Sequence, residues 1–181
     1  MTASTPVRAV HVVGGGEPTA LVERALESVE AAAPAVCVVA RVPGRAPLAE
    51  LTDARLADEV GGALEEVLAA VRSELGHLRP GGRLVFVLPA PPLMAVNGGA
   101  AASAVTNGVL SMARTLSLEL ARDSVTVNVV AVEADAGDDP DRVARAPLSA
   151  QLSALLGPGG ERITGQEIYL TAGSDLGRLR P

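Results

Sequence analysis

The sequence predicts an α/β fold in which buried parallel strands alternate with amphipathic helices. Residues 84–88 form a short apolar run between Gly82 and Pro89, which is typical of a parallel strand covered on both faces. Apolar residues at 105, 109, 112, 116 and 120 recur at helical spacing and predict a helix with one buried stripe. The β-branched run at 125–132 predicts the next strand. Strand, helix and strand in this order predict a βαβ unit.

Length, composition and charge favour a single domain over residues 1–181. The 181 residues are 48% hydrophobic, which is enough for one core. The net charge of −6, the lack of a Lys/Arg cluster and the presence of only Phe86 and Tyr169 as aromatics argue against a nucleic-acid surface. Because no apolar run reaches membrane-spanning length and the first ten residues lack a signal-peptide core, we expect a cytoplasmic protein with no membrane contact. Cys37, the only cysteine, lies in an apolar run and is predicted to be a core residue.

The first part of the chain predicts strand, turn, helix and strand. Residues 7–13 predict the first strand, and Gly14, Gly15 and Gly16 form the turn that follows it. A helix then extends towards Pro34, and residues 35–40 predict the second strand.

A long helix begins at Thr52 or Asp53 and shows the clearest periodicity in the chain, with apolar residues at 56, 60, 64, 67, 71, 75 and 78. Gly61 and Gly62 lie inside this helix, where we expect them to allow close approach of another backbone. His77 in the last turn is predicted to be an exposed partner of the helix dipole.

The last part of the chain predicts an acidic loop, a weak helix and a final strand. Residues 133–141 are rich in carboxylates but lack the spacing of a calcium loop, so a solvated loop is favoured over a metal site. Residues 141–156 predict a helix interrupted by Pro147, and residues 163–170 predict the last strand.

The order of these motifs resembles the second half of a short-chain dehydrogenase/reductase, especially of the 3-oxoacyl-ACP reductase-like branch. The residues are PLAELTDARL at 47–56, GGRLV at 81–85, ARTLSLELA at 113–121, SVTVNVVAV at 124–132 and ITGQEIYLTAG at 163–173. In that family the PLAELTD pattern follows the fourth strand, whereas here it follows the second. The resemblance therefore implies a Rossmann-like parallel sheet of about five strands, in the order 1-4-5-6-7 of the parent fold, with helices on both faces and without the second and third strands. Right-handed crossovers would place the first helix on the same face as the helices at 56–78 and 102–121.

The same resemblance implies that the cofactor turn and the catalytic tetrad are lost. Matching the family's TGxxxGxG turn places Gly14 at the first glycine, Pro18 at the second and Ala20 at the third, so Gly14, Gly15 and Gly16 are at most a weak remnant of a phosphate cradle. A flexible turn that matters for the fold is favoured, and Gly15→Val is expected to alter stability. The Asn, Ser, Tyr and Lys positions of the tetrad are Ala63, Pro89, Ala102 and Thr106. We therefore expect no catalytic residue, no metal and no bound cofactor in this chain.

These losses favour a pseudoenzyme, a non-catalytic subunit that pairs with an intact reductase of the same family and stabilises or activates it. The resemblance implies a ketoacyl or hydroxyacyl reductase as the partner, which would hold NAD(P)H, in a heterodimer or heterotetramer. The predicted interface comprises Gly61, Gly62, Leu68, Leu110, Met112 and Leu118, on the helices that form a four-helix bundle in that family. One alternative is a stand-alone oxidoreductase with an atypical site around Ser103, Thr106 and Asn107. Another is a ligand-binding module that uses the vacated cofactor cleft.

Overall fold

The computed structural model describes residues 10–15, 17–133, 140–171 and 173. Side chains are described for these residues except Glu17 and residues 140–144. The strands are β1 (Val10–Val13), β2 (Ala35–Val39), β3 (Arg83–Pro89), β4 (Thr126–Val132) and β5 (Glu167–Leu170). The α-helices are α1 (Glu17–Leu26), α2 (Asp53–Leu56), α3 (Ala63–Leu78), α4 (Ala90–Leu93), α5 (Ala100–Glu119) and α6 (Pro140–Leu156). No helix in these described ranges is long and apolar enough to cross a bilayer.

The strands form one parallel sheet in the order β1-β2-β3-β4-β5. This confirms the predicted α/β class and the five-stranded sheet. β2 and β4 are buried along their whole lengths, whereas β1 and β5 are the edge strands. The last strand is shorter than predicted because residues 163–166 form a loop held by Asn128 of β4. The Nδ2 of this buried side chain donates to the Ile163 carbonyl at 2.8 Å, and its Oδ1 accepts from the Gln166 N–H at 3.1 Å.

Successive side chains of each strand point to two different cores. One core lies between the sheet and the helices α3 and α5, where Val67, Val105 and Val109 pack on Phe86. The other lies between the sheet and the helices α1 and α6, where Val22 and Leu26 pack with the buried leucines 148, 152, 155 and 156. The fully buried Cys37 belongs to this second core, as predicted. Helices therefore cover both faces of the sheet.

The prediction that the first helix shares a face with α3 and α5 is wrong. The chain crosses the sheet in one direction from β1 to β5, so crossovers on opposite faces have opposite hands. The crossovers through α1 and α6 thus have the opposite hand from those through α3 and α5. Burial explains this exception, because Val22, Ala25 and Leu26 of α1 lose their solvent contact against the leucines of α6.

The long predicted helix is continuous but changes its winding. The Thr52 hydroxyl accepts from the Arg55 N–H at 3.3 Å and caps α2, as expected. A π-helical segment, Ala57–Gly62, then joins α2 to α3. This segment shifts the helix relative to the sequence pattern. Leu56 consequently remains 39% exposed, and the buried stripe begins at Ala63.

Two other local predictions need correction. Pro147 lies inside α6 without interrupting it, because the leucines around it are fully buried and compensate for the lost backbone hydrogen bond. His77 at the end of α3 was predicted to be an exposed partner of the helix dipole. Its ring instead stacks on that of His11 in β1, with centroids 3.9 Å apart. The acidic loop at 133–141 lies largely outside the described residues.

Candidate functional site

The carboxyl ends of β1 and β2 border a crevice. After β1 the chain turns to α1 on one face, and after β2 it turns to α2 and α3 on the other. Such divergence of neighbouring connections is where open α/β sheets bind their ligands. A cavity of about 320 Å³ lies beside this point, on the α3 side, between Val13, Gly15, Val39, Arg41, Glu66 and Val67.

Gly14 occupies a position where a side chain would not fit. Its φ is +150°, and a Cβ would lie 2.6 Å from the Val39 carbonyl oxygen and 3.0 Å from Thr19 Oγ1. By contrast, a Cβ on Gly15 would meet nothing within 4 Å, and Gly16 lies outside the described residues. The glycine turn therefore packs against β2 through Gly14, and the expectation that Gly15 is the position sensitive to substitution is not supported.

Arg41 and Glu66 stand at the mouth of the cavity. Arg41 Nε donates to Glu66 Oε2 and its Nη2 to Oε1, both at 3.1 Å, while Nη2 also donates to the Asp58 carbonyl at 3.2 Å. The hydrogen bonds to Glu66 raise the pKa of Arg41. Because the guanidinium is already paired, a phosphate would have to compete with a carboxylate for it. Sequence reasoning missed this pair, whose members are 25 positions apart.

The positions that the resemblance assigns to the catalytic tetrad lie in the core or at its edge. Ala63 and Ala102 are buried on α3 and α5, and Pro89 ends β3. Thr106 is fully buried, and its hydroxyl donates to the Ala102 carbonyl at 3.0 Å. None of these four side chains can donate or accept a proton near neutral pH, so they cannot perform acid–base catalysis.

Ser103 and Asn107, the other polar groups of the predicted atypical site, donate to the backbone. Ser103 Oγ donates to the Pro92 carbonyl at 2.7 Å, and Asn107 Nδ2 donates to the Ser103 carbonyl at 2.9 Å. Ser103 thus links α5 to α4, the short helix that follows β3, by a hydrogen bond. This arrangement does not aim a set of donors at a substrate, which disfavours the stand-alone oxidoreductase.

A second crevice, between the carboxyl ends of β3 and β4, is filled by the protein itself. Ala90, Met94 and Ala131 are buried together there, and Leu93 and Tyr169 pack against them. The short helix α4 carries Ala90 and Leu93 and is followed directly by Met94. Among the described residues there is no group of three or more His, Cys, Asp or Glu side chains that could hold a metal ion.

The predicted interface residues have different environments. Leu68 and Leu118 are 44% and 80% exposed, and Met112 is partly buried. Leu110 is only 6% exposed and belongs to the core beneath α5, so the reason for placing it at an interface was wrong. Gly62 accommodates Arg41 within the chain, because a Cβ there would lie 3.2 Å from Arg41 Nη2. Gly61 has open space around it.

The sequence matches no family model and no curated protein, whereas the fold matches many solved structures. A dehydrogenase/reductase from Sinorhizobium meliloti 1021 is 23% identical, with a TM-score of 0.63 over 82% of this chain and 66% of its own. A short chain dehydrogenase family protein from Francisella tularensis subsp. tularensis SCHU S4 is 14% identical, with a TM-score of 0.66 over 86% of this chain and 75% of its own. The 3-ketoacyl-(acyl-carrier-protein) reductase from Brucella melitensis, solved with NADH, is 15% identical, with a TM-score of 0.65 over 77% of this chain and 67% of its own. The chain spans 66% of the first of these proteins, and it has the fold of the short-chain dehydrogenase/reductases in a shorter, five-stranded form.

Proposed function

We propose that this protein is a non-catalytic subunit that pairs with an intact reductase of the same fold and supports its activity. One combination carries the proposal: the scaffold keeps two packed cores, yet the resemblance assigns Ala63, Pro89, Ala102 and Thr106 to the positions of the family's acid–base groups. A packed scaffold without catalytic groups still has a function if another subunit needs its surface as an interface.

The surface best suited to such pairing is the outer side of α3 and α5, here called the helix-pair face. The two helices lie close together, since a Cβ on Gly108 would be 3.0 Å from Leu64 Cδ2. At helical spacing this face presents Gly61 from the π-helical segment, Leu64 and Leu68 from α3, and Ala104, Gly108, Ser111, Thr115 and Leu118 from α5. Small residues beside exposed leucines allow a second helix pair to approach closely and to bury apolar surface.

The resemblance to 3-oxoacyl-ACP reductases supports an intact reductase as the partner. In that family the corresponding helices pack as a four-helix bundle between subunits. The partner would hold NAD(P)H and act on ketoacyl or hydroxyacyl substrates in the cytoplasm. An interface of this kind commonly buries more than about 2,000 Å².

The test is to copurify the tagged chain with a reductase from its native host and to assay the complex with acetoacetyl-CoA and NADPH or NADH. We expect Leu68→Glu with Leu118→Glu to separate the subunits on size exclusion and to lower reductase activity. Ala154→Glu, a change on the exposed side of α6 across the sheet, is the matched control and should leave the complex intact. A double variant that coelutes and keeps full activity contradicts this interface.

A ligand-binding module remains a second candidate, favoured by the cavity of about 320 Å³ at the β1–β2 crevice. Its lining by valines and by the Arg41–Glu66 pair suits a small, largely apolar ligand with one polar group. Saturation of that cavity by a metabolite, with no effect of the Leu68 and Leu118 changes on any complex, would favour this candidate.

A further inference from the structure

The cavity at the β1–β2 crevice is apolar inside and carries charge at its mouth. Its wall consists largely of aliphatic side chains, those of Val13, Val38, Val39, Val67 and Ala70. The charged side chains that line it are those of Arg41 and Glu66. Its volume of about 320 Å³ lies near the lower end of the range of ~300–1,000 Å³ that small-molecule pockets span. The cavity therefore suits one small molecule with a compact aliphatic body.

The guanidinium of Arg41 is engaged by the neighbouring helix. Its Nε and Nη2 donate to the two carboxylate oxygens of Glu66, both at 3.1 Å, and Nη2 also donates to the Asp58 carbonyl at 3.2 Å. A Cβ on Gly62 would lie 3.2 Å from Nη2, so the guanidinium packs on the backbone of the π-helical segment. Arg41 thus fixes the Glu66 carboxylate beside the cavity.

Carboxylates outnumber cations at this end of the cavity. The hydrogen bonds from Glu66 contribute most to the raised pKa of Arg41, and the charges of Glu66, Asp58 and Glu59 add to it. The nearest further cation is Arg55, which is paired with Glu59 at 2.8 Å. Three carboxylates therefore face two guanidinium groups, and the balance is one negative charge. An anionic ligand would approach this excess of carboxylates, whereas a cationic ligand would neutralise it.

The Glu66 carboxylate has room for a further donor. A carboxylate offers about four lone-pair sites, of which a guanidinium fork fills about two. The Glu66 side chain is 59% exposed, so an incoming cation can reach the remaining sites without opening the pair with Arg41. An ammonium group is the compact cation whose donors suit such a position.

We infer that the β1–β2 cavity binds a small aliphatic amine. Its ammonium group donates to Glu66, and its aliphatic body lies against Val13, Val39 and Val67. Arg41 is a positioning residue, because it acts through Glu66. The inference rests on the ligand-binding candidate proposed above and does not depend on pairing through the helix-pair face.

The test is an NMR titration of the isotope-labelled chain with isopentylamine, isopentanol and isovalerate. These molecules share a branched carbon skeleton, and at neutral pH they are a cation, a neutral molecule and an anion. We expect saturable shifts of the Val13, Val39 and Val67 amides, with the amine binding about threefold or more tighter than the alcohol and isovalerate binding weakest. Added salt should weaken binding of the amine and leave that of the alcohol unchanged.

Two pairs of variants separate charge from shape. Glu66→Gln should bring the affinity for the amine down to about that of the alcohol, whereas Glu65→Gln, an exposed neighbour outside the cavity, is its matched control. Ala70→Leu should fill part of the cavity and weaken all three ligands, whereas Ala69→Leu on the exposed side of α3 should not. Thermal unfolding of each variant identifies loss of fold.

Three results would overturn the inference. Isovalerate or isopentanol binding as tightly as the amine would refute the preference for a cation and leave the ligand-binding candidate in place. The absence of saturable binding by all three molecules would refute that candidate as well. Equal loss of amine affinity in Glu65→Gln and Glu66→Gln would assign the effect to the general negative charge of the surface and not to Glu66.

Discussion

At the scale of single residues, backbone conformation and packing explain why position 14 is a glycine, without any role in ligand binding. Its φ of +150° is costly for residues with a side chain, and its backbone lies against that of Val39. The neighbouring Gly15 has neither constraint. A glycine in a turn that resembles a phosphate loop can therefore serve strand packing.

Gly14→Ala is expected to destabilise the chain by about 2–4 kcal/mol, since a Cβ would lie 2.6 Å from the Val39 carbonyl oxygen and the backbone would be strained. Gly15→Ala is the matched control and should change the free energy of unfolding by less than about 0.5 kcal/mol. Urea denaturation measures both. Equal effects of the two substitutions would contradict the packing role of Gly14.

Cys37 offers a second test at this scale. Burial raises the pKa of its thiol from 9.0 to about 12, because the thiolate would lose its hydration. At pH 8 the folded protein holds a neutral, inaccessible thiol. We expect an aromatic disulfide reagent to react with Cys37 only after guanidinium unfolds the chain, as absorbance would record. Rapid modification of the folded protein would show that the second core opens readily.

At the scale of elements, the π-helical segment Ala57–Gly62 changes the role of the two glycines. Gly62 lies beneath Arg41, whose guanidinium joins the helix to the end of β2 through Glu66. Gly61 lies on the helix-pair face with open space around it. The two neighbours thus belong to different surfaces, one within the chain and one available to a partner.

Gly61→Ala is expected to stabilise the isolated chain by about 0.5–1 kcal/mol, because alanine favours helix and its Cβ meets nothing within 4 Å. Gly62→Ala should gain less, since its Cβ would lie 3.2 Å from Arg41 Nη2 and would displace the guanidinium. Thermal unfolding of the two variants measures the difference. A larger gain for Gly62→Ala would contradict the contact with Arg41.

At the scale of the whole molecule, the order of strands and the faces of the helices decide which sites exist. The sheet runs from β1 to β5 in a single direction, yet α1 and α6 lie opposite α3 and α5. This arrangement keeps a crevice between β1 and β2, leaves β1 as an edge, and fills the second crevice with Met94 and its neighbours.

We expect the isolated protein not to bind NADH or NADPH in the low micromolar range. The turn after β1 packs on Val39 through Gly14, and Arg41 beside it is paired with Glu66. In addition, no strand beyond β1 within the described residues supplies the acidic or basic residue that reads the adenosine ribose. Fluorescence titration with each nucleotide measures this. Saturation at low micromolar concentration, competed by the non-fluorescent oxidised form, would contradict this expectation.

The local order of strands and helices was predictable from the sequence, whereas the loss of the tetrad stays a prediction from the resemblance. Strand and helix signals repeat within a few residues, so the apolar run at 35–40, the β-branched run at 125–132 and the apolar periodicity of residues 56–78 identify their elements without knowledge of their neighbours. Alanine or proline at a catalytic position excludes proton transfer in any fold. The continuity of α6 through Pro147 was not predictable, because it depends on leucines that become buried only when α6 meets α1.

Contacts between segments that are distant in sequence determined which helix residues are buried, which residues form the candidate site and which face of the sheet α1 covers. The wheel of α5 identifies the side that faces the sheet, but only the packed fold buries Leu110 on its flank and leaves Leu118 exposed. The Arg41–Glu66 pair and the contact of Gly14 with Val39 join residues 25 positions apart, which no local pattern records. The face of α1 depended on its burial against α6 rather than on the usual hand of a crossover. Packing between distant elements is a property of the whole fold, and therefore the site and its surfaces follow from the tertiary structure.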